Sequence, residues 1–443
     1  MIYIYNMYVK LSAVFPFLIF CVICTVCKVQ LLQKEGKVLV TQNSKSNTHK
    51  NVPHRLLNAK PNTTFFVYKD IDLKGNAYDI PPGVTLESKG GVIKNGELYG
   101  NNTSIRNIKT LFDNITIRGT WRVKYISTSI FKTLSSDNEL RNVIALANPN
   151  VDNSIIIEKG EYSFSFSHEA ECGISIPSNT KVIIDGNLKI RPNSLKRYYI
   201  VYIPSDNVVV SGSGTIIGDK FSHINKGGEW GMGVRFQRAT NCKLSGLLVK
   251  NCWGDCICVS RQSKNIVIDN CMISNGRRQG ISVTSADNVI IQNCTISNVK
   301  GTPPEYAIDI EPDSKDTVRN VMLKNNTIIN CVGGISLYTG ENKKSMVSDI
   351  IIEDCKIFGT SKAPFQARGA KNVVFMDCLI KDCKARYSIF IHRTSNISVN
   401  NNTIYAEKYA INNPERAKFY RNKILKGVIT PSFTNKIMDK LTK

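Results

Sequence analysis

Two acidic residues, Asp309 and Glu311, have the clearest capacity for chemistry in this sequence. In an extended strand, residues two apart face the same way, with α-carbons about 6.6 Å apart. Inverting glycosidases separate their acid and base carboxyls by about 6.5 to 9.5 Å, and retaining enzymes by about 5 to 5.5 Å. We therefore predict that Asp309 and Glu311 are a catalytic pair, joined by Asp255 as a third catalytic carboxylate. The alternative is a solvated acidic surface.

Basic and amide side chains fill the segment between these acids. Two adjacent arginines there can bind an acidic sugar, or they can pair with the carboxylates and so keep them ionised. Either role requires that the chain bring the segment next to the acids. The predicted substrate-binding residues are Arg277, Arg278, Gln279, His223, Glu229, Trp230, Arg235, Tyr306, Tyr338 and Arg368.

A repeat from residue 207 onward predicts how these side chains are positioned. Its β-rich segments begin at Asn207, Asn241, Asn265, Asn288, Asn320, Asp349, Asn372 and Asn396, at intervals of 34, 24, 23, 32, 29, 23 and 24 residues. A strand pair this short cannot bury its apolar face alone, but coils stacked about 4.8 Å apart can. The sequence therefore predicts an all-β chain, a right-handed parallel β-helix (solenoid) with a short helical cap or insertion.

Six positions after the segment starts lies a column of cysteine and asparagine. Asparagine hydrogen-bonds to nearby backbone, and a thiol acts as a small apolar filler, so we predict a buried turn ladder. Because the spacing follows the coil and not a ligand geometry, no metal site is predicted. The column consists of Cys271, Cys294, Asn326, Cys355, Cys378 and Asn402.

The second strand of each coil aligns on an inward aliphatic residue, with another two residues later. Residues between and after these must point outward, because side chains alternate along a strand. A polar strip of this kind on a rigid sheet suits a sugar chain. The first outward column reads Arg235, Cys258, Ser282, Asp309, Ser336, Gln366 and Phe390, and the second reads Gln237, Ser260, Thr284, Glu311, Tyr338, Arg368 and His392.

The two longest intervals flank the acidic zone and predict loops that wall a cleft. The 34-residue interval holds His223, Glu229 and Trp230, and the 32-residue interval holds Tyr306. The two aromatic rings can stack on sugar faces. His223 and Glu229 are candidate acid–base groups, although a histidine in a loop is commonly just polar surface.

The N-terminal segment suggests export. Residues 1–30 carry an apolar run with only Lys10 and Lys28 as charges, which we interpret as a signal peptide or membrane anchor, with a lipid anchor as a further alternative. Residues 31–60 resemble a flexible tether. Residues 61–150 are predicted as irregular N-terminal coils with the helical cap near 140–147, residues 151–430 as the β-helix with its glycan-facing strip, and residues 431–443 as a basic tail.

The coil repeat over residues 60 to 430 resembles the pectin-lyase-like superfamily, in particular exported polygalacturonase-like and polysaccharide-lyase β-helices. Polygalacturonases carry Asn-Thr-Asp, Asp-Asp, Gly-His-Gly and Arg-Ile-Lys motifs on successive coils. Here Gly254-Asp255-Cys256 stands in place of the aspartate pair, Arg278-Gln279-Gly280 stands in place of Gly-His-Gly, and no Arg-Ile-Lys follows. The resemblance implies the fold and a glycan ligand, whereas the departures put pectin itself in doubt.

Three functions remain open. The first is an extracytoplasmic glycoside hydrolase without cofactor, the second a polysaccharide lyase or uronate epimerase in which calcium can serve, and the third a non-catalytic glycan-binding or tail-spike-like adhesin. The net charge of +23 favours an anionic polysaccharide, or is simply a basic solvated surface. No motif predicts nucleic acid binding, and a membrane is expected only through the N-terminal segment. The expected location is secreted or cell-envelope, and the oligomeric state is left open.

Overall fold

A computed structural model describes residues 58–425 except 108, 135–136, 341–344 and 413–416. All described residues belong to one compact unit, which lies within residues 53–443. The predicted leader, nearly all of the tether and the basic tail therefore lie outside the described residues. Within the described part, no helix is long and apolar enough to cross a membrane.

The N-terminal coils form a six-stranded sheet in which every pairing is parallel. Its long strand β5 pairs with β2, β3, β4 and β6. A short 3-10 helix, Thr128–Ile130, follows this sheet. The strands are β1 (Thr64–Val67), β2 (Ile71–Asp72), β3 (Ala77–Asp79), β4 (Thr85–Ser88), β5 (Ile93–Arg106) and β6 (Phe112–Trp121).

One α-helix, α1 (Asp137–Ala145), packs on the outer strand of this sheet and confirms the helix predicted near residue 140. Its side chains Leu140, Val143 and Ile144 are buried. Asn142 accepts a hydrogen bond from the Ile117 amide at 3.0 Å and donates one to the Ile115 carbonyl at 2.8 Å. The helix thus satisfies backbone groups that β6 presents at its edge, which prevents that edge from pairing elsewhere.

Three long parallel sheets make up the solenoid, and each complete coil contributes one strand to each sheet. Sheet 1 contains β7 (Tyr125–Ser127), β8 (Asn153–Ile157), β11 (Thr180–Ile184), β14 (Val209–Ser211), β17 (Thr240–Ser245), β20 (Ser263–Asp269), β23 (Ala286–Gln292), β26 (Thr317–Lys324), β29 (Met346–Glu353), β32 (Lys371–Met376), β35 (Ser395–Asn400) and β38 (Ala417–Tyr420). Sheet 2 contains β9 (Glu161–Phe164), β12 (Asn187–Ile190), β15 (Thr215–Ile217), β18 (Leu248–Lys250), β21 (Met272–Ser274), β24 (Thr295–Ser297), β27 (Thr327–Ile329), β30 (Lys356–Phe358), β33 (Leu379–Cys383), β36 (Thr403–Ala406) and β39 (Lys423–Ile424). Sheet 3 contains β10 (Glu171–Ser175), β13 (Arg197–Ile203), β16 (Trp230–Gln237), β19 (Ile257–Ser260), β22 (Ile281–Val283), β25 (Tyr306–Ile310), β28 (Gly333–Tyr338), β31 (Phe365–Arg368), β34 (Tyr387–His392) and β37 (Tyr409–Asn412).

The core is a set of apolar columns along the solenoid axis. In sheet 3, each predicted inward residue pairs in register with its equivalent on the next coil, and each is fully buried. Every coil therefore covers the apolar face of the one before it, which confirms the predicted solenoid. The column reads Val234, Ile257, Ile281, Ile308, Ile335, Phe365 and Ile389.

The residue that begins each repeat adopts a left-handed backbone conformation, which the repeat alone did not predict. All eight residues from Asn207 to Asn396 in this series have φ between 51° and 59°. Asparagine and aspartate tolerate this region better than other side-chain-bearing residues do. Their side chains also form a ladder: Asn265 donates to Asn241 at 2.7 Å and accepts from Asn288 at 2.8 Å. Backbone geometry and stacking thus both select asparagine here.

Replacing Asn265 by alanine is expected to destabilise the solenoid by about 1–2 kcal/mol. Alanine is strained in the left-handed backbone conformation and cannot form the side-chain hydrogen bonds to Asn241 and Asn288. The matched variant Asn265→Gly keeps the backbone conformation and removes only the amide, so we expect a smaller loss. Thermal unfolding followed by circular dichroism measures both. Equal losses for the two variants would rule out backbone strain as the cause.

The cysteine and asparagine column is buried, as predicted. Its thiols donate to backbone carbonyls within their own turns, for example Cys294 to Gln292 at 3.2 Å. Where Asn326 takes the place of cysteine, its side chain donates to the Ile291 carbonyl at 2.8 Å and accepts from the Cys294 amide at 3.0 Å. All eleven cysteines in the described part of the chain are free thiols, so these ones serve packing.

Candidate active site

A groove runs along the outer face of sheet 3 and consists of two adjoining cavities. The first cavity, of about 610 Å³, lies over β13 to β25, and the second, of about 500 Å³, lies over β25 to β31. Three residues line both cavities: Arg278, Asp309 and Glu311. The groove therefore passes over the predicted catalytic pair at the point where its two halves meet.

The outward columns predicted from the repeat are the columns that form this groove. Cys258 pairs with Ser282, Ser282 with Asp309, and Asp309 with Ser336 along the sheet. These four side chains are buried and not exposed, because they form the floor between walls that include the exposed ring of Trp230. The prediction of a common flank is right, while the expected exposed strip is, at its centre, the bottom of a groove.

Asp309 is held at the floor by a fully buried amide. Gln279 accepts a hydrogen bond from the Tyr306 backbone N–H at 2.8 Å, so its other end must be the NH₂ group. That group donates to Asp309 Oδ2 at 2.5 Å. The other carboxyl oxygen, Oδ1, has no hydrogen-bond partner among the described residues. One oxygen of Asp309 is thus fixed as an acceptor, and the second is buried at the floor of the groove without a hydrogen-bond partner among the described residues.

The environment of Asp309 favours its neutral form. Burial raises the pKa of Asp309 well above its usual range, and the neighbouring Glu311 carboxylate raises it further. The Ser336 hydroxyl and the Arg278 guanidinium act in the opposite direction, with smaller effect. Glu311 is only half-buried and stands at the junction of the cavities. Two neighbouring carboxyl groups are therefore placed in unlike environments, as an acid–base pair requires.

Arg278 makes its ion pairs with other acids and leaves Asp309 unpaired. Its Nε lies 3.2 Å from Glu229 Oε2, and its Nη1 lies 3.7 Å from Asp255 Oδ1. Asp255 is buried and also accepts a hydrogen bond from Ser282 at 2.7 Å. Burial raises the pKa of Asp255, against the opposing effect of Arg278. Arg278 is thus anchored beside the predicted catalytic pair by ion pairs to Glu229 and Asp255.

Two predicted substrate-binding residues lie behind the groove. Gln279 is fully buried, so it supports Asp309 and does not contact a ligand. Arg277 donates to the backbone carbonyls of Gly228 at 2.9 Å and Lys226 at 3.1 Å, and its guanidinium lies 3.7 Å from the centre of the Trp253 ring. Arg277 therefore fastens the loop before β16. Residues 277–279 lie in the bend between β21 and β22, where strand alternation does not set the direction of a side chain.

His223 is also corrected as a groove residue. Its side chain is fully buried, with Nδ1 2.8 Å from Asp219 Oδ2 and its ring stacked 4.0 Å from that of Trp253. It does not line either cavity. The loop that carries it folds back onto the solenoid, so the imidazole packs beneath the wall and not into the groove.

The other predicted ligand-binding residues are at or beside the groove. Trp230 and Arg235 line the first cavity, and Glu229 reaches it through Arg278. The second cavity is lined by the aromatic and cationic residues predicted for its coils, Tyr306, Tyr338 and Arg368. Their roles in binding remain predictions.

Sequence reasoning missed the far end of the first cavity, which β13 provides. Arg197, Tyr199 and Tyr202 line this end. The sequence could have predicted them, because Val201 pairs in register with Val234 and the alignment of inward residues could have started one coil earlier. Lys362 in the second cavity sits in a loop without repeat and carried no such signal.

Among the described residues, no three or more His, Cys, Asp or Glu side chains are grouped so as to hold a metal ion.

Comparisons with known proteins agree on the fold. A family model described as right handed beta helix region matches residues 164–348 and 341–424. The chain is 30% identical over 184 residues to the uncharacterized protein YclG of Bacillus subtilis (strain 168), covering 35% of this chain and 31% of that protein. It spans less than a third of the length of the curated relatives it matches.

Two solved structures share the solenoid. The exopolygalacturonase of Thermotoga maritima aligns with a TM-score of 0.51 at 15% identity, covering 69% of this chain and 87% of that one. The A-module of the mannuronan C-5 epimerase AlgE6 of Azotobacter vinelandii aligns with a TM-score of 0.50 at 13% identity, covering 69% and 94%. At such identities the likeness is one of fold.

Proposed function

Since this chain belongs to the right-handed β-helix family, we propose that it is a glycoside hydrolase that cleaves a polysaccharide with Asp309 as acid and Glu311 as base. The observation that carries the proposal is the state of Asp309: buried, held by Gln279, and with one free oxygen at the centre of a groove. Neighbours of the same fold include a polygalacturonase and an epimerase, which act on polysaccharides by their names. Fold alone does not transfer that activity, so the site carries the argument.

The proposed step is a single displacement at the anomeric carbon. Asp309 Oδ1 gives its proton to the glycosidic oxygen, and the bond from that oxygen to the anomeric carbon breaks. Glu311 takes a proton from a water whose oxygen bonds to the same carbon. One sugar leaves with a free hydroxyl, and the other gains a reducing end of inverted configuration. Inversion is proposed from the α-carbon spacing of about 6.6 Å that is expected for residues two apart in an extended chain.

Asp255 and Glu229 have a positioning role in this proposal. Both are partners of Arg278, whose guanidinium lies beside the catalytic pair. In this proposal the two acids hold the Arg278 guanidinium in a fixed position beside the pair. Asp255 was predicted as a third catalytic carboxylate, and its contacts favour the supporting role.

A lyase or epimerase mechanism receives less support from the same contacts. Such an enzyme needs a cation free to neutralise the carboxylate of a uronate beside the reacting carbon. Arg278 is the cation at the centre of the groove, and two acids already pair with it. A purely binding protein would not need a buried acid whose pKa is raised.

One assay separates the three functions. We expect a panel of neutral and acidic polysaccharides to include one that yields new reducing ends without ultraviolet absorbance, and proton NMR of the first product to show the inverted anomer. Products with a conjugated double bond would overturn the proposal in favour of a lyase. Retention on a glycan column without any product would overturn it in favour of an adhesin.

The proposal includes a location outside the cytoplasm. The apolar run at residues 11–27 supports export, because such a segment is typical of a signal peptide or membrane anchor. Cleavage of that segment or its retention as an anchor would be read from the N-terminus of the mature protein.

A further inference from the structure

The β13 end of the groove concentrates positively charged side chains that have no acidic partner among the described residues. Arg197 and Arg235 line the first cavity there, and neither has an ion pair within 4.0 Å among the described residues. Arg261 adds a third positive charge to the same cavity. We call Arg197, Arg235 and Tyr199 the arginine end. Unpaired arginines in a concave site are suited to bind an oxyanion.

Aromatic rings hold these arginines in place. The Arg235 guanidinium lies 4.8 Å from the centre of the Tyr199 ring and donates to its hydroxyl at 2.6 Å. Arg197 lies 5.0 Å from the centre of the Trp230 ring. The Nε of Arg235 is buried and has no partner within the described structure. The arginine end is thus a pre-ordered site with a donor left unsatisfied, as a built ligand site would have.

The centre of the groove has the opposite character. Arg278 is already paired with Glu229 and Asp255, and Glu311 stands beside Asp309. A ligand carboxylate placed there would lie next to acidic groups without a free cation, which is unfavourable. A sugar at the centre is therefore favoured when it is neutral.

Coil spacing separates the two environments. Arg235 pairs with Cys258, Cys258 with Ser282 and Ser282 with Asp309, which is three coil steps or about 14 Å at about 4.8 Å per step. Arg197 is on the coil beyond, displaced from Asp309 by about 19 Å along the solenoid axis. This distance exceeds one sugar ring, so the anionic group and the cleaved bond must lie on different sugars of the chain.

We propose that the ligand is a heteropolysaccharide in which an acidic sugar, bound at the arginine end, lies a few residues from a neutral sugar at Asp309 and Glu311. The proposal rests on the proposed function for the position of the cleaved bond. It predicts a preference for mixed chains over both neutral chains and chains in which every sugar is a uronate. A homopolyuronate satisfies the arginine end but places carboxylates at the acidic centre.

Affinity electrophoresis of the full chain carrying Asp309→Asn tests this preference without turnover. The probes are hyaluronan, in which glucuronate alternates with a neutral sugar, polygalacturonate, in which every sugar is acidic, and dextran, which is neutral. We expect hyaluronan to bind at least tenfold more tightly than either of the others. Equal binding of dextran, tighter binding of polygalacturonate, or no binding of hyaluronan would each overturn the proposal.

Variants at the arginine end locate the effect. Arg197→Gln with Arg235→Gln is expected to reduce hyaluronan binding at least tenfold, and the pair of lysine substitutions, which keeps the charge, is expected to reduce it less. The matched control is Arg421→Gln, because that exposed arginine stacks on the Tyr420 ring at 4.7 Å away from the groove. Unchanged hyaluronan binding in the folded double variant would refute the site. Selective binding without any hydrolysis by the wild type would refute only the proposed function.

Discussion

Asp309→Asn is expected to lower kcat by about 10²- to 10⁴-fold, the range that general acid–base groups contribute. Asparagine keeps the shape of the side chain, so Gln279 still occupies its place and the groove still forms. What is lost is the proton on Oδ1, which no neighbouring described side chain is placed to supply. Glu311→Gln is expected to cause a similar loss by removing the base. Steady-state kinetics on the substrate found in the panel measures both effects.

The matched control for these variants is Asp349→Asn. This aspartate occupies the ladder position that asparagine fills on most other coils, and it accepts from Asn372 at 2.8 Å. It lies on sheet 1, outside the groove, and its replacement is expected to leave kcat unchanged. If Asp309→Asn and Glu311→Gln both retain full activity, the catalytic assignment is wrong.

The pH profile of the wild type also tests whether Asp309 is the general acid. The general acid works only while Asp309 is protonated, so activity is present below its pKa and is lost as pH rises through it. Because burial raises this pKa, the alkaline limb of kcat/KM is expected well above the range of an ordinary aspartate, about 3.9. An alkaline limb at that ordinary value would contradict the assignment.

Stability gives an independent check that an inactive variant is folded. A carboxyl whose pKa is raised by folding contributes full stability below its unfolded pKa and loses that contribution as pH rises through the folded pKa. Asparagine does not titrate. The Tm of Asp309→Asn at pH 7 is therefore expected to equal or exceed that of the wild type, even though turnover is lost.

The fold was predictable because a solenoid repeats its register. Each coil must stack its aliphatic residues on those of the previous coil, so equivalent positions recur in the sequence even when loops vary. Aligning Ile281 with Ile308 therefore placed Ser282 and Asp309 side by side, as the strand pairing has them. The left-handed φ of Asn265 is reflected in the sequence only by the choice of asparagine, and that choice alone does not predict a positive φ.

The site was most predictable where it follows the register of the coils. Asp309, Glu311 and Arg235 belong to the repeat, and they line the groove. His223 and Arg277 lie in segments without periodicity, where neither spacing nor residue type says which way a side chain turns. Their orientation follows from contacts with Trp253, which is distant from His223 in the sequence. Such contacts depend on the three-dimensional path of the loop, and no local pattern encodes them.

Gln279→Met is expected to lower kcat by about 10- to 100-fold while KM changes little. Methionine has a similar volume but cannot donate to Asp309 Oδ2, so the carboxyl loses the contact that fixes which oxygen carries the proton. Gln279 is fully buried and cannot contact the glycan, which is why binding is spared. Leaving the Tyr306 amide without an acceptor is expected to cost about 1–3 kcal/mol of stability.

The pH profile separates a positioning role from a merely structural one. A hydrogen bond donated to a carboxylate favours the ionised form, so its loss raises the pKa of Asp309 and moves the alkaline limb to higher pH. General destabilisation would lower the active fraction and leave that limb in place. The matched control is Gln292→Met, which removes an equivalent bond from glutamine to Asp269 at 3.2 Å on sheet 1, away from the groove. A fall in kcat with an unmoved limb, or an equal fall in the control, would assign Gln279 to packing alone.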